Sequence, residues 1–135
     1  MPGLIIADNN PVTCRQIANL LIGEGYDVMV TDSVAKTIYG VLNKTAQIVL
    51  LGTTLDEFTS AELVPLLKKC NRDLMIILVA DDTPLPLMRR VRQEGIFYHA
   101  LRPVEPKDGE EIRQVVKCAM KTMMRTHYGS RNCTH

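Results

Sequence analysis

The chain carries no excess of charge of either sign. Sixteen Lys and Arg residues stand against fifteen Asp and Glu residues among 135, which leaves a formal net charge of +1. No segment concentrates enough basic side chains to neutralise a run of phosphates. The composition therefore argues against nucleic acid as a direct partner.

Long apolar runs are also missing. The run from Met75 to Ala80 is far shorter than the roughly 20 residues that a membrane-spanning helix needs. The segment Met1-Pro2-Gly3 leads into a short apolar run, without the basic region and long apolar segment of a secretion signal. We therefore expect a cytoplasmic protein with no membrane partner.

The cysteines are too dispersed to form a recognisable metal or redox motif. The sequence has no Cys-x-x-Cys pair, and no histidine stands at metal-ligand spacing from a cysteine. This usage is typical of a reduced, cytosolic setting. The four cysteines are Cys14, Cys70, Cys118 and Cys133.

The length and hydrophobic content bound the number of domains. A chain of 135 residues, 46% of them hydrophobic, can bury one sizeable core but not two. From Tyr128 onward the sequence lacks apolar periodicity. We predict one domain over residues 4–126 and a tail or the start of a linker over residues 127–135.

Five short apolar runs predict β-strands. Three of them are continuously apolar, which is typical of parallel strands covered on both faces, and the two edge candidates are more mixed. The predicted strands are Leu4–Ala7, Val28–Thr31, Ile48–Leu51, Met75–Val79 and Phe97–Leu101.

After each predicted strand, apolar residues recur at helical spacing. Five alternations of strand and helix favour right-handed βαβ units. The predicted fold is α/β, a (βα)5 doubly wound, flavodoxin-like five-stranded parallel sheet with helices on both faces. The helical stripes are Ile17, Leu20, Leu21; Ile38, Val41, Leu42; Leu63, Leu66, Leu67; Leu87, Met88, Val91; and Ile112, Val115, Val116, Ala119, Met123.

The ends of the first and third strands carry a family resemblance. In such sheets functional residues gather beyond the carboxyl ends of the strands. The first strand, ending in Asp8, is similar to that of bacterial response-regulator receiver domains, which ends in several acids; Asn9 and Asn10 depart from the pattern. Residues 46–52, Ala-Gln-Ile-Val-Leu-Leu-Gly, resemble the family's third strand, Asp-Ile-Val-Leu-Leu-Asp, whose last residue accepts the phosphate. In this chain that residue is Gly52.

The end of the fifth strand extends the resemblance, which covers Leu4 to about Met120. Residues 95–104, Gly-Ile-Phe-Tyr-His-Ala-Leu-Arg-Pro-Val, match Gly-Ala-x-x-Tyr-Leu-x-Lys-Pro-Phe, including a proline expected to follow a cis bond. Arg102 replaces the lysine, and His99 replaces the switch aromatic. The hydroxyl residue that ends the family's fourth strand maps to Ala80 by spacing or to Val79 by strand pattern, and neither has a hydroxyl.

These departures remove chemistry that the resemblance implies. Phosphoryl transfer to a receiver needs a carboxylate nucleophile, magnesium, and cationic and hydroxyl groups. Gly52 offers no side chain, and Asp8 with a neutral Asn9 makes a weak magnesium site. We predict no enzymatic activity, no catalytic residue, no resident metal and no cofactor. The vestigial phosphoacceptor pocket is predicted at Asp8, Asn9, Gly52, Ala80 and Arg102.

Several polar residues have two interpretations each. Arg102 and Asp8 either form a fixed ion pair or are residual polar groups at a solvent-facing cleft. Asp81 and Asp82 either add to a cation site or form a solvated turn. His99, at the switch position, either senses pH or is a half-buried polar residue without consequence.

The resemblance implies a regulatory domain of two-component (phosphorelay) signal transduction. Without its acceptor, we expect it to act as a phosphorylation-independent protein-interaction module. The partner is a kinase, an output domain or a second copy in a homodimer, bound on the face of the predicted fourth helix, fifth strand and fifth helix. Arg89, Arg92 and Met120 are the predicted anchors, although the default explanation for the methionines on the last helix is a place in the core.

Two other functions remain open from the sequence. One is a receiver that is still phosphorylated, at a non-standard acid such as Asp8 or Asp56. The other is a flavin or small-ligand domain of the same topology, for which residues 9–13 lack the expected hydroxyl- and glycine-rich phosphate loop.

Overall fold

A five-stranded parallel sheet forms the centre of the molecule. The computed structural model describes residues 3–81, 89, 93, 95–103 and 108–132, and the side chains of the last stretch as far as residue 124. The strand order is β2-β1-β3-β6-β7, and β4 and β5 pair separately as a short antiparallel hairpin. The strands are β1 Gly3–Ala7, β2 Asp27–Thr31, β3 Ile48–Leu51, β4 Thr54–Leu55, β5 Phe58–Thr59, β6 Met75–Ala80 and β7 Tyr98–Leu101.

Helices cover both faces of this sheet, as predicted. The helices are α1 Pro11–Gly23, α2 Val34–Leu42, α3 Ser60–Cys70 and α4 Gly109–Asn132. Helices α1 and α4 pack in one apolar cluster, and α2 and α3 pack in the other. The doubly wound α/β fold is thereby confirmed.

The continuously apolar strands are buried on two sides because each face of the sheet has its own core. In β1, Ile5 and Ala7 belong to the cluster with α2 and α3, whereas Leu4 and Ile6 belong to the cluster with α1 and α4. All four side chains are at most 1% exposed. Strands β3 and β6 follow the same alternation, which explains why they show no polar positions.

The observed elements differ from the sequence prediction mainly near the end of the chain. Helix α4 corresponds to the predicted fifth helix and continues to Asn132, so residues 128–132, predicted to be irregular, are helical. The stripe of the predicted fourth helix, Leu87, Met88 and Val91, lies outside the described residues, although Arg89 and Gln93 are helical. The division of the chain at residue 126 stays a prediction.

Two further expectations concern a cis peptide bond and membrane-spanning helices. No peptide bond among the described residues is cis, so the predicted cis bond before Pro103 is wrong. Of the helices that the structure describes, none combines the length and apolar character needed to cross a membrane.

Candidate functional site at the carboxyl edge of the sheet

The first and third strands bring Asp8 and Gly52 side by side. Ala7 and Leu51 are register partners at the ends of β1 and β3. Gly52 N donates a hydrogen bond to Ala7 O at 2.9 Å, so the next residue of each strand lies at the same edge. This is the edge at which the sequence predicts a vestigial pocket.

The carboxylate of Asp8 occupies the space beside Gly52. A β-carbon added at Gly52 would lie 2.6 Å from Asp8 Oδ1 and closer still to Cγ and Oδ2. Atoms at such separations overlap, so any side chain at position 52 requires Asp8 to move. The pocket is therefore filled by its own acid, and Asp8 is only 6% exposed.

Burial dominates the electrostatics of Asp8. The loss of hydration raises the pKa of the Asp8 carboxyl, and a hydrogen bond from the backbone of Asn10 and the charge of Arg102 offset part of that rise. Asn10 N donates to Asp8 Oδ1 at 3.1 Å. The site thus holds a carboxyl group whose charged form is penalised.

A buried thiol lies under this loop. Cys14 Sγ donates to Asp8 O at 3.4 Å. Burial first, and then the charges of Asp8 and Asp32, raise the pKa of the Cys14 thiol to about 11. The thiol is therefore protonated at neutral pH and serves as a donor rather than a nucleophile.

Asn9 ties the loop after β1 to the hairpin of β4 and β5. Asn9 Oδ1 accepts from Asp56 N at 2.8 Å, and Asn9 Nδ2 donates to Asp56 O at 3.0 Å and to Thr54 Oγ1 at 3.4 Å. Asn9 N also donates to Thr54 O at 3.3 Å. The amide uses both of its ends, which no carboxylate can do because a carboxylate only accepts.

Asp56 extends the same network to a third loop. Its Oδ2 accepts from Val34 N at 2.7 Å, at the first residue of α2. Its backbone has φ 53°, in the left-handed region that Asp and Asn tolerate better than most residues. Neither the hairpin nor this network was predicted from sequence. The one available signal was an Asn where an acid is expected.

Arg102 pairs with a different acid from the one expected. Arg102 Nη1 lies 3.5 Å from Asp81 Oδ2, and the two side chains are 26% and 65% exposed. A direct ion pair between Arg102 and Asp8 is therefore wrong, although the charge of Arg102 still lowers the pKa of Asp8. Because Asp81 is largely exposed, this pair contributes little to stability.

The oxygen donors at this edge do not fit a magnesium ion. Asp8 Oδ1 is bonded to Asn10 N, Asn9 Oδ1 is bonded to Asp56 N, and Gly52 contributes no side-chain oxygen. Among the described residues, no group of three or more His, Cys, Asp or Glu side chains is placed to hold a metal. With its carboxylate packed beside Gly52, Asp8 makes a poor magnesium ligand.

The predicted interaction face is only partly where the sequence placed it. Met120 is 8% exposed and packs in the core with α1, so its prediction as a surface anchor is wrong. Arg89 is exposed, and Arg92 lies outside the described residues. The exposed apolar side chains nearby are Tyr98 and Leu101, at 42% and 57%.

A groove runs between β7 and α4 on this face. It encloses about 420 Å³. Its lining residues are Phe97, Tyr98, Glu111, Gln114, Val115 and Cys118.

The remaining predicted pocket residue, Ala80, and the predicted switch-position residue, His99, lie on the outer half of the sheet. Ala80 ends β6, is fully buried, and accepts a hydrogen bond from Arg102 N at 3.2 Å. His99 lies in β7 opposite Leu78 and is half-buried. Within the described part of the chain, His99 Nε2 is buried without a hydrogen-bond partner. A pH-sensing role for His99 stays a prediction.

Comparisons with known proteins point to one fold. No protein-family profile and no curated protein sequence matches this chain. Solved structures do match, and over nearly the whole chain. A CheY-like response regulator receiver domain protein from Methanospirillum hungatei shares 20% identity at a TM-score of 0.76, covering 90% of this chain and 98% of its own.

Two further receiver domains align equally well. The signal receiver domain of a modulated diguanylate cyclase from Desulfovibrio desulfuricans shares 19% identity at a TM-score of 0.77, covering 93% and 98% of the two chains. The receiver domain of a putative Luxo repressor protein from Vibrio parahaemolyticus shares 12% identity at a TM-score of 0.82, covering 94% and 95%. The chain therefore has the receiver fold.

The contact between Asp8 and Gly52 predicts strong coupling between the two positions. Gly52→Ala should lower the free energy of unfolding by about 1–3 kcal/mol, because the added methyl overlaps the carboxylate. In an Asp8→Ala background the cost should shrink, giving a coupling of about 1 kcal/mol or more. Urea unfolding of both single variants and the double variant measures this cycle.

Gly23→Ala is the matched control, because an added β-carbon there meets no atom within 4 Å. It should leave the protein unchanged or stabilise it by up to about 1 kcal/mol. Equal costs for Gly52→Ala with and without Asp8 would contradict the overlap.

The raised pKa of Asp8 predicts a pH-dependent effect of Asp8→Asn. In the folded state the carboxyl holds its proton to a higher pH than in the unfolded chain, whose value is near 3.8. Stability is therefore lost as pH rises from that value through the folded pKa. Relative to the parent, Asp8→Asn should gain stability as pH rises from about 4 to 7. Unfolding midpoints across this range provide the measurement, and a relative loss on the way to pH 7 would refute it.

Proposed function

We propose that this chain is a receiver-like regulatory domain of two-component signalling that acts as a phosphorylation-independent protein-interaction module. The receiver fold and the resemblance at the strand ends support the first part. The second part is supported by one observation: Asp8 fills the space beside Gly52, the residue that the resemblance places at the acceptor position.

The arrangement of the two remaining acids argues against a displaced acceptor. The carboxylate of Asp8 is 6% exposed and packed against Gly52, so it offers no open path for in-line attack on a phosphodonor. The carboxylate of Asp56 accepts a hydrogen bond from Val34 N at the start of α2. Phosphorylation of either carboxylate would disrupt a contact that it makes in the folded protein.

The surface around β7 is the best candidate for partner binding. Tyr98 and Leu101 are large, exposed side chains on an edge strand, and Arg89, earlier in the chain, is helical and exposed. Aromatic, apolar and arginine side chains of this kind commonly carry most of the binding energy of an interface. The partner is a kinase, an output domain or a second copy of the chain.

The proposed function predicts no phosphate uptake. Intact protein incubated with acetyl phosphate and magnesium should show no mass increase of one phosphate. Gly52→Asp alone should not reach the labelling of a normal receiver domain, because the new carboxylate would overlap Asp8 and would lack the family's hydroxyl and lysine neighbours.

A receiver domain with an intact acceptor serves as the reagent control in that experiment. Stoichiometric labelling of the parent would contradict the proposal. Loss of such labelling in Asp8→Asn or in Asp56→Asn would identify the true acceptor.

A second prediction separates the binding surface from the pocket. Alanine at Arg89, Tyr98 or Leu101 should weaken partner binding about tenfold or more for at least one of them. Asp8→Asn should change affinity little, because a filled pocket no longer controls the surface. The measurement is a titration with the partner isolated from the source cells, or sedimentation if the partner is a second copy. Loss of binding in Asp8→Asn alone would show that the pocket is the working site.

A further inference from the structure

The two edges of the sheet differ in how their outward backbone groups are satisfied. At the β7 edge, Leu101 N donates to Glu111 Oε1 at 2.9 Å, so a side chain of α4 covers that edge. Tyr98 OH donates to the other oxygen of Glu111 at 3.3 Å. β2 is the outermost strand on the other side of the sheet, and no described residue covers its edge in this way.

The ladder between β1 and β2 identifies the outward groups. Asp8 N donates to Thr31 O at 3.2 Å, so the backbone of Thr31 faces β1. Because backbone direction alternates along a strand, Met29 also faces β1, whereas Val28 and Val30 direct N–H and C=O away from the sheet. These outward groups have no hydrogen-bond partner in the part of the chain that the structure describes. They form a row that an added strand can bond.

Apolar side chains flank this row on both faces of the sheet. Met29 is 46% exposed and Val30 is 48% exposed. Consecutive residues of a strand point to opposite faces, so one lies on each side. An added strand would therefore cover apolar surface above and below the edge while it bonds the backbone.

Charge at the two ends of β2 selects the kind of strand. Asp27 begins β2 and Asp32 follows it; both are exposed, and neither is in an ion pair with any described residue. Acids at both ends favour basic residues opposite them. Antiparallel pairing with a second copy about Met29 would instead set Asp27 opposite Thr31 and Asp32 opposite Tyr26, so neither acid would meet a basic residue.

We infer that the β2 edge binds an extended segment of a partner protein that is apolar at its centre and carries Lys or Arg at both ends. The inference rests on the proposed function, since it names a partner class for the same interaction module. It uses a surface on the opposite side of the sheet from β7.

The probe is a short synthetic peptide of alternating Val and Thr with lysines at both ends. At low salt it should bind at least about tenfold more tightly than the same peptide with glutamates at both ends. The amide protons of Val28 and Val30 should gain protection from exchange on binding, whereas those of Met29 and Thr31, already in the ladder, should change little. Equal binding of the two peptides would overturn the inference.

Val30→Pro tests the backbone contribution, because it removes an outward N–H without breaking the ladder to β1. It should weaken peptide binding about tenfold or more, and the matched variant Val30→Thr, which keeps the N–H, should stay within about threefold. Circular dichroism checks the folding of each variant. If Val30→Pro does not fold, a peptide N-methylated at alternate residues replaces it and should lose binding to the parent protein.

Unchanged binding in the folded proline variant, or unchanged binding of the methylated peptide, would overturn the inference. So would a dimer of the parent that Val30→Pro dissociates, since the edge would then serve a second copy. Phosphate labelling of the parent would contradict the proposed function and leave peptide binding at β2 untouched. If the protein takes up no phosphate and also does not bind the peptide, only the inference about β2 is contradicted.

Discussion

The contact between the Asp8 carboxylate and Gly52 is the constraint around which the carboxyl edge is arranged. In the absence of a side chain at position 52, the acid at the end of β1 turns into the space beside β3 and becomes buried. Burial disfavours the charged form of the Asp8 carboxyl. The hydrogen bond from the backbone of Asn10 and the charge of Arg102 offset part of that cost. A pocket of this kind is a packed structural element rather than an open reaction site.

Hydrogen bonds hold together the loops around that contact. Asn9 bonds both backbone groups of Asp56, and Asp56 in turn accepts from the start of α2. These hydrogen bonds join three loops: the one after β1, the hairpin of β4 and β5, and the one before α2. This arrangement supports the proposal of an interaction surface that does not depend on phosphorylation.

Much of the fold could be predicted from sequence because strand burial on two faces leaves a strong pattern. The runs at Ile48–Leu51 and Met75–Ala80 have no polar positions, and both are central strands. The site was harder to predict because it depends on side-chain direction. Spacing alone put Asp8, Gly52 and Arg102 at one edge, but only the geometry shows Arg102 on Asp81.

The interaction face shows the same limit. Met120 is a residue type that often anchors interfaces, but it lies in the core. The rotation of α4 relative to the sheet decides which of its side chains are buried, and the sequence does not give that rotation directly. The hairpin of β4 and β5 was missed because each of its strands has only two residues, too short for a periodic pattern. Identifying the β2 edge likewise requires knowing which strand is outermost in the sheet.

The most direct measurement of the central claim is the carbon-13 resonance of the Asp8 carboxyl, followed by NMR across pH with and without magnesium. If the carboxylate is packed against Gly52, its pKa lies above the ordinary value of 3.8 and magnesium leaves the titration unchanged. A pKa at or below 3.8 would mean that the carboxylate faces solvent, and a pKa that falls when magnesium is added would mean that it binds the cation. Either result would contradict the filled pocket.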